Sequence, residues 1–243
     1  MPLNASIFIQ NRSKVISITN DRINHILWYV IECYQMLQKD MPIYSKSWIR
    51  LQTTHKPEDY LKMEFVDKYL IPNKSILKHK ISALEQINFT YETQKRYVDA
   101  VDGKEKPDKI DIYINKLGLQ NEWNKQDEDI YFAIECKRIE ILSDTKDYIS
   151  DINKYTLRNH TNLRLPFEGM IAFIENKNLN HSQISNEVNK RLNTATNITT
   201  TKSLNPVTLH EDYNGTYSSS HKKTSFQFSI YFLTIRRMCI CNS

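Results

Sequence analysis

Three ionisable side chains in apolar, strand-like segments are the residues of this sequence best suited to chemistry. Asp111 lies in a segment where apolar and polar residues alternate, and Glu135 and Lys137 follow the apolar run 130–134 with Cys136 between them. Residues two apart point to the same face of a strand. We therefore expect Glu135 and Lys137 to emerge side by side and Cys136 to point to the opposite face.

Charged side chains at the end of a buried strand are costly unless they are paired or hold a metal ion. Two carboxylates from neighbouring strands suit a hard cation such as Mg²⁺, with Mn²⁺ as a substitute, because such ions prefer oxygen ligands and often bridge to phosphate. Lys137 beside this cation can orient or deprotonate a water molecule, or neutralise charge that develops on a phosphate. These are the requirements of phosphodiester hydrolysis. The alternative is that Glu135 and Lys137 form an ordinary solvated ion pair.

The elements that must position these residues follow from the hydrophobic pattern. Helical spacing predicts a first helix capped by Asp21, a second that opens at Pro57 and ends before Pro72, and a third over 74–86. The pattern then predicts strands over 88–98, 109–114, 129–139 and 169–174, helices over 144–158 and 182–192, a loop over 193–203, a flexible linker over 217–223 and a last strand over 226–236. This order indicates a mixed α/β or α+β fold, with an N-terminal helical region over 1–50 and a further domain over 51–243.

The composition excludes several classes of protein. The chain of 243 residues has four glycines, and no two of them are close enough to form a glycine-rich phosphate-binding loop or a nucleophile elbow. The four cysteines lack the spacing of a zinc site. We find neither a secretion signal nor an apolar segment long enough to span a bilayer, so we expect a cytoplasmic protein without membrane contact. The formal net charge of +5 permits an anionic partner.

The motif resembles a known superfamily. Asp111 on one strand and Glu135-x-Lys137 on the next, preceded by a helix and followed by a helix and a strand, look like the PD-(D/E)XK nucleases, which have the restriction-endonuclease-like fold. The resemblance covers about 57–174 and implies a central mixed β-sheet flanked by helices, Mg²⁺ dependence and nucleic-acid cleavage. Asp111 and Glu135 would be the metal ligands and Lys137 the catalytic lysine. The literal Pro-Asp pair ends at Asp108, but we choose Asp111 because it lies among alternating apolar residues, whereas we place Asp108 at the edge of a loop.

Members of this superfamily often add a glutamate from the helix before the first strand. At about 100° per residue, helical geometry places Glu58 on the core-facing stripe of the helix after Pro57 and turns Glu64 to solvent. Glu58 is therefore a third candidate metal ligand. The alternative is that its charge only favours the start of the helix.

The remaining predictions concern partners and function. Arg138, Lys154 and Arg158 are candidate nucleic-acid contacts, with a solvated surface as the alternative, and we predict that His210 and His221 are ordinary surface histidines. The resemblance implies a DNA endonuclease, with a role in bacterial restriction or anti-phage defence, either as a homodimer or as a partner subunit of a defence complex. The alternatives are an RNA or repair nuclease, and a nuclease-like subunit that binds nucleic acid or a protein without cutting.

Overall fold

Helices dominate the first third of the chain and strands the remainder. The computed structural model describes residues 5–40, 44, 46–80, 86–125, 130–160, 164–223 and 226–236. Its helices are α1 (Ala5–Lys39), α2 (Lys46–Gln52), α3 (Pro57–Glu64), α4 (Gln120–Trp123), α5 (Lys146–Leu157) and α6 (His181–Thr194). Its strands are β1 (Asn88–Asp99), β2 (Glu105–Asn115), β3 (Tyr131–Ile139), β4 (Arg158–His160), β5 (Arg164–Ile174), β6 (Thr199–Pro206), β7 (Thr216–Lys223) and β8 (Phe226–Arg236).

The described strands form one mixed sheet in the order β4-β1-β2-β3-β5-β8-β7-β6. β1, β2 and β3 are antiparallel neighbours, as are β8, β7 and β6. β3 pairs with β5, and β5 with β8, in parallel. Parallel neighbours need a crossover connection, which α5 supplies between β3 and β5 and α6 supplies after β5. A mixed α/β architecture built on a mixed sheet is thereby confirmed.

Helices pack on both faces of this sheet. The apolar stripe of α1 and the helices that follow it share one core with the inner strands; Val30, Phe65, Ile112 and Ile134 are fully buried in it. On the other face, α5 and α6 pack against β5 and β8 in a second core. β3 is central to both layers, so its apolar residues are buried on both sides, as its continuous apolar run predicts.

Local signals explain several element ends. Pro57 occupies the first turn of α3, where its missing N–H costs no hydrogen bond, and a π-helical turn (Phe65–Leu70) continues α3 to the break at Pro72. α6 begins with a capping box in which the Asn180 side chain and Gln183 exchange hydrogen bonds with each other's backbone N–H. At Gly169 on β5, a Cβ atom would come within 2.7 Å of a side-chain carbon of the neighbouring β3, so the close approach of these strands requires glycine.

Four predicted element assignments are wrong. Asp21 does not cap a helix, because α1 begins at Ala5; residues 5–39 contain neither Gly nor Pro to interrupt it. Residues 199–203 of the predicted loop lie in β6, and the whole predicted linker over 217–223 lies in β7. Antiparallel pairing of β7 with β8, and of β6 with β7, extends the sheet through this polar, Thr- and Ser-rich sequence. Arg158 begins β4 and does not belong to α5.

The two histidines predicted to lie at the surface are both buried. His221 is inaccessible to solvent and contacts Ser219 Oγ (2.9 Å) and Thr200 Oγ1 (3.2 Å), and burial lowers its pKa to about 4. His210 Nε2 lies 2.7 Å from Glu32 Oε1. Sheet pairing and the return of the chain over α1 bury them, and neither effect is visible in local sequence.

Some sequence features lie outside the described residues, among them Cys239, Cys241 and the second half of the predicted helix over 74–86; a 3₁₀ helix (Lys74–His79) covers its first half. Within the described part of the chain, no helix combines the length and apolar character needed to cross a bilayer.

Candidate active site

The site is built where β2 and β3 separate. Backbone pairing between these strands runs from Asn115–Tyr131 to Ile112–Ile134 and then stops. Beyond this point the backbone N–H of Cys136 on β3 donates to a side chain of β2 instead of a backbone carbonyl: Asp111 Oδ2 accepts this hydrogen bond at 2.8 Å. The carboxylate of Asp111 is thereby held between the two strands, next to Glu135.

Asp111, Glu135 and Lys137 line the same cavity of about 290 Å³. Glu135 and Lys137 are half-buried and flank the fully buried Cys136, so the predicted alternation of faces is confirmed. Further ionisable side chains of both charges also line this cavity, among them Asp108, Lys109, Asp151, Lys154, Arg158, His160, Arg164 and Glu168.

The carboxylates of Asp111 and Glu135 lie close enough in this cavity for the negative charge of Asp111 to disfavour ionisation of Glu135. Burial, followed by the nearby negative charge of Asp111, raises the pKa of Glu135 from its ordinary value of 4.5 to about 8. Arg164 and Lys137 act in the opposite direction without cancelling this rise. A cation between Asp111 and Glu135 would relieve the repulsion.

Lys137 is a charged donor at the cavity wall. Its Nζ lies 2.9 Å from Asp151 Oδ2 of α5, and its side chain is 25% exposed. Burial alone would lower the pKa of Lys137, but the charge and hydrogen bond of Asp151 outweigh burial and raise the pKa above its ordinary value. Lys137 therefore stays protonated at neutral pH.

A second lysine, not among the predicted site residues, contacts Asp111. Lys62 of α3 is buried, and its Nζ lies 2.8 Å from Asp111 Oδ1. Burial alone would lower the pKa of Lys62, but the hydrogen bond to Asp111 and the charge of that carboxylate raise it above its ordinary value. Its position in sequence carried a signal: Lys62 lies one turn after Glu58 and one turn before Val66, on the same stripe of the helix.

Asp108 is buried within β2, so its predicted place at the edge of a loop is wrong. Arg158 Nη1 and Arg164 Nη1 both donate to its carboxylate, the latter at 2.8 Å. Arg164 also forms a two-bond pair with Glu168 at 2.5 and 2.6 Å. Asp108 therefore forms a buried ion-pair cluster with Arg158 and Arg164 in the cavity wall, whereas Asp111 lies beside Glu135.

The three predicted nucleic-acid contacts divide between two places. Lys154 and Arg158 line the cavity of the site; Lys154 is paired with Asp151 at 2.9 Å, and the Arg158 guanidinium stacks over the Tyr97 ring at 4.7 Å. Arg138 instead lines a neighbouring, wider pocket of about 680 Å³ and is paired with Glu140 at 2.9 Å.

Glu58 lies in that neighbouring pocket, and Lys137 lines both. Burial raises the pKa of Glu58, and its electrostatic partners include Lys137 and Asp111, which places Glu58 within reach of the site's charges.

The prediction that Glu64 faces solvent is wrong. Its side chain is 16% exposed, pairs with Lys68 at 2.5 Å and accepts a hydrogen bond from Tyr44, which precedes α2.

The donor set of the cavity fits Mg²⁺ held by two protein carboxylates. Asp111 and Glu135 offer only oxygen, and each oxygen of Asp111 accepts one hydrogen bond, which leaves lone pairs for a cation. Among the described residues, no three or more His, Cys, Asp or Glu side chains cluster as metal ligands. Mg²⁺ commonly takes one or two carboxylates and completes its shell with water and substrate phosphate.

Comparisons of the chain with protein-family models, with curated proteins and with solved structures give no match.

Proposed function

We propose that this protein is a Mg²⁺-dependent nuclease with a restriction-endonuclease-like core that hydrolyses phosphodiester bonds in DNA. One observation carries the proposal: Asp111 and Glu135 converge from adjacent strands on one cavity, and the ammonium of Lys137 lines the same cavity. The topology supports it as well. The order α3–β1–β2–β3–α5–β5, with β3 parallel to β5, spans the stretch of chain that carries the motif resemblance.

Each residue has a role that follows from its surroundings. Asp111, fixed by hydrogen bonds at both oxygens, and Glu135 hold the cation, which when bound supplies Lewis-acid stabilisation to a phosphate oxygen. Lys137 carries a positive charge at the cavity wall, so it can neutralise charge that develops on the phosphate. Lys154 presents a half-exposed ammonium at the same cavity to a neighbouring phosphate of the strand.

A second candidate function is favoured by the internal ion pairs. Lys137 is paired with Asp151, and Asp111 with Lys62, so both groups already have partners within the protein. A nuclease-like module that binds nucleic acid without cleaving it would retain such pairs. The two functions differ in one measurable property, which is turnover.

The test is incubation of the purified protein with supercoiled plasmid, single-stranded DNA and RNA, in Mg²⁺ and in excess EDTA. The nuclease proposal expects cleavage in Mg²⁺ alone, and loss of at least about a thousandfold in rate for Asp111→Asn, since residues at one metal–phosphate site act as a unit. Glu105→Gln, an exposed change on the same strand, is the matched control. Binding in a gel-shift assay without cleavage of any substrate would favour the second candidate. If the protein neither binds nor cleaves any of these nucleic acids, both candidate functions are refuted.

A further inference from the structure

The buried ammonium of Lys62 contacts carboxylates from three elements. Its side chain is 2% exposed, and Nζ lies 2.8 Å from Asp111 Oδ1 of β2, 3.3 Å from Glu92 Oε1 of β1 and 3.4 Å from Asp59 Oδ1 of α3. An ammonium this deeply buried cannot reach a substrate in the cavity. Its contacts lead to the proposed metal ligand.

Glu92 lies opposite Asp111, between the cross-strand pairs Tyr91–Ile112 and Thr93–Ile110. Its φ is 53°, the left-handed region that a residue with a side chain rarely adopts within a strand. Such strain persists only where the surrounding structure imposes it, and it concentrates at functional sites. Glu92 also accepts a hydrogen bond at 2.9 Å from Lys109, which lines the cavity.

We propose that Lys62 is a positioning residue that orients the Asp111 carboxylate toward the cavity, with Glu92 as its anchor. This inference rests on the proposed function. Lys62 binds Oδ1 and the Cys136 N–H binds Oδ2, so the carboxylate cannot rotate about its last bond without losing a hydrogen bond. The lone pairs that remain, on a side chain 18% exposed, are the ones available to a cation.

Packing alone does not require a lysine at this position. Its neighbours on the inner stripe of α3 and the following turn, Leu61, Phe65 and Val66, are apolar and buried. A methionine would join them without the cost of removing an ammonium from water. We therefore assign the ammonium of Lys62 to its ion pairs with the surrounding carboxylates and not to packing.

The experiment compares Lys62→Met, Lys62→Arg and the control Lys68→Met, an exposed lysine on the following turn of the same helical segment. It measures kcat and KM on DNA per folded molecule, Mn²⁺ affinity by calorimetry, and Tm. A misdirected ligand is expected to lower kcat of Lys62→Met about a hundredfold, with KM for DNA nearly unchanged. Lys62→Arg is expected to recover about tenfold of this loss, because a guanidinium also donates to a carboxylate. The control should match the wild type in kcat, KM and Mn²⁺ affinity.

Folded Lys62→Met with wild-type kcat would overturn the inference. If that variant does not fold, Glu92→Gln decides: its side chain is 35% exposed, and we expect kcat to fall about tenfold with KM unchanged. A wild-type kcat in Glu92→Gln would again overturn it. A wild-type protein that neither cleaves nor binds Mn²⁺ would refute the proposed function, and this inference with it. Cleavage by folded Lys62→Met at the wild-type kcat would refute the inference and leave the proposed function standing.

Discussion

Replacement of Glu135 by glutamine should make the metal-free protein more stable at pH 8. Burial and Asp111 raise the pKa of Glu135 from 4.5 to about 8, so the folded protein keeps a proton that the unfolded chain loses between those values. The stability that this proton contributes is fully present below pH 4.5 and is lost as the pH rises through 8. Glutamine has the same shape and no proton to lose.

The size of the effect follows from the same pKa. One pKa unit corresponds to about 1.4 kcal/mol, so the full change from 4.5 to about 8 would be worth about 5 kcal/mol. The Glu135 side chain is partly exposed, and solvent screens its interactions, so we expect about 2 kcal/mol at pH 8. For a chain of this length that is a rise in Tm of about 6 °C. Glu168, whose pKa burial raises to about 7, titrates in both proteins and cancels in the difference.

The assay is thermal unfolding in EDTA at pH 5 and pH 8, with Glu105→Gln as an exposed control on β2. Glu135→Gln should resemble the wild type at pH 5 and exceed it at pH 8. Addition of Mg²⁺ at a hundred times its dissociation constant should then stabilise the wild type by about 2.7 kcal/mol and the variant by less. Equal or lower stability of Glu135→Gln at pH 8 without metal would refute the electrostatic reasoning.

Four further outcomes are expected. Glu58→Gln should lower the cleavage rate without changing Tm, whereas Glu64→Gln, which breaks the pair with Lys68, should lower Tm and leave cleavage unchanged; equal activity in both would remove α3 carboxylates from the site. Mg²⁺ and Mn²⁺ should support cleavage and Ca²⁺ only binding, and activity in excess chelator would exclude the metal mechanism. Nucleic-acid affinity should fall with salt with a log–log slope of a few units, and a salt-independent affinity would indicate a protein partner. Gly169→Ala should cost about 1–3 kcal/mol in urea unfolding, because its Cβ would overlap Ile134; wild-type stability would show that β3 and β5 can separate.

Local sequence determined which faces of β3 carry the site residues and where α3 begins. The alternation at Glu135, Cys136 and Lys137 and the buried run before it are properties of a strand whose side chains repeat every two residues, so they could be read without knowledge of the partner strands. Pro57 likewise marked a helix start through its own covalent geometry. These signals depend on neighbours in sequence, and the structure bears them out.

Only the tertiary structure decided which charges meet. Lys62 and Asp111 are 49 residues apart in sequence, and Asp108 and Arg164 are 56 apart, so their pairing depends on how α3 and β5 pack against the sheet. The same holds for buried His221, since β7 becomes a strand through pairing with β8 and not through its own composition. A charged residue has no periodic signature that names its partner, because ion pairs form between whatever groups the completed fold brings within a few ångströms in a medium of low dielectric constant. The sequence pattern singled out Asp111, Glu135 and Lys137 as a set, whereas the ion pair between Lys62 and Asp111 is established only by the packing of α3 against β2.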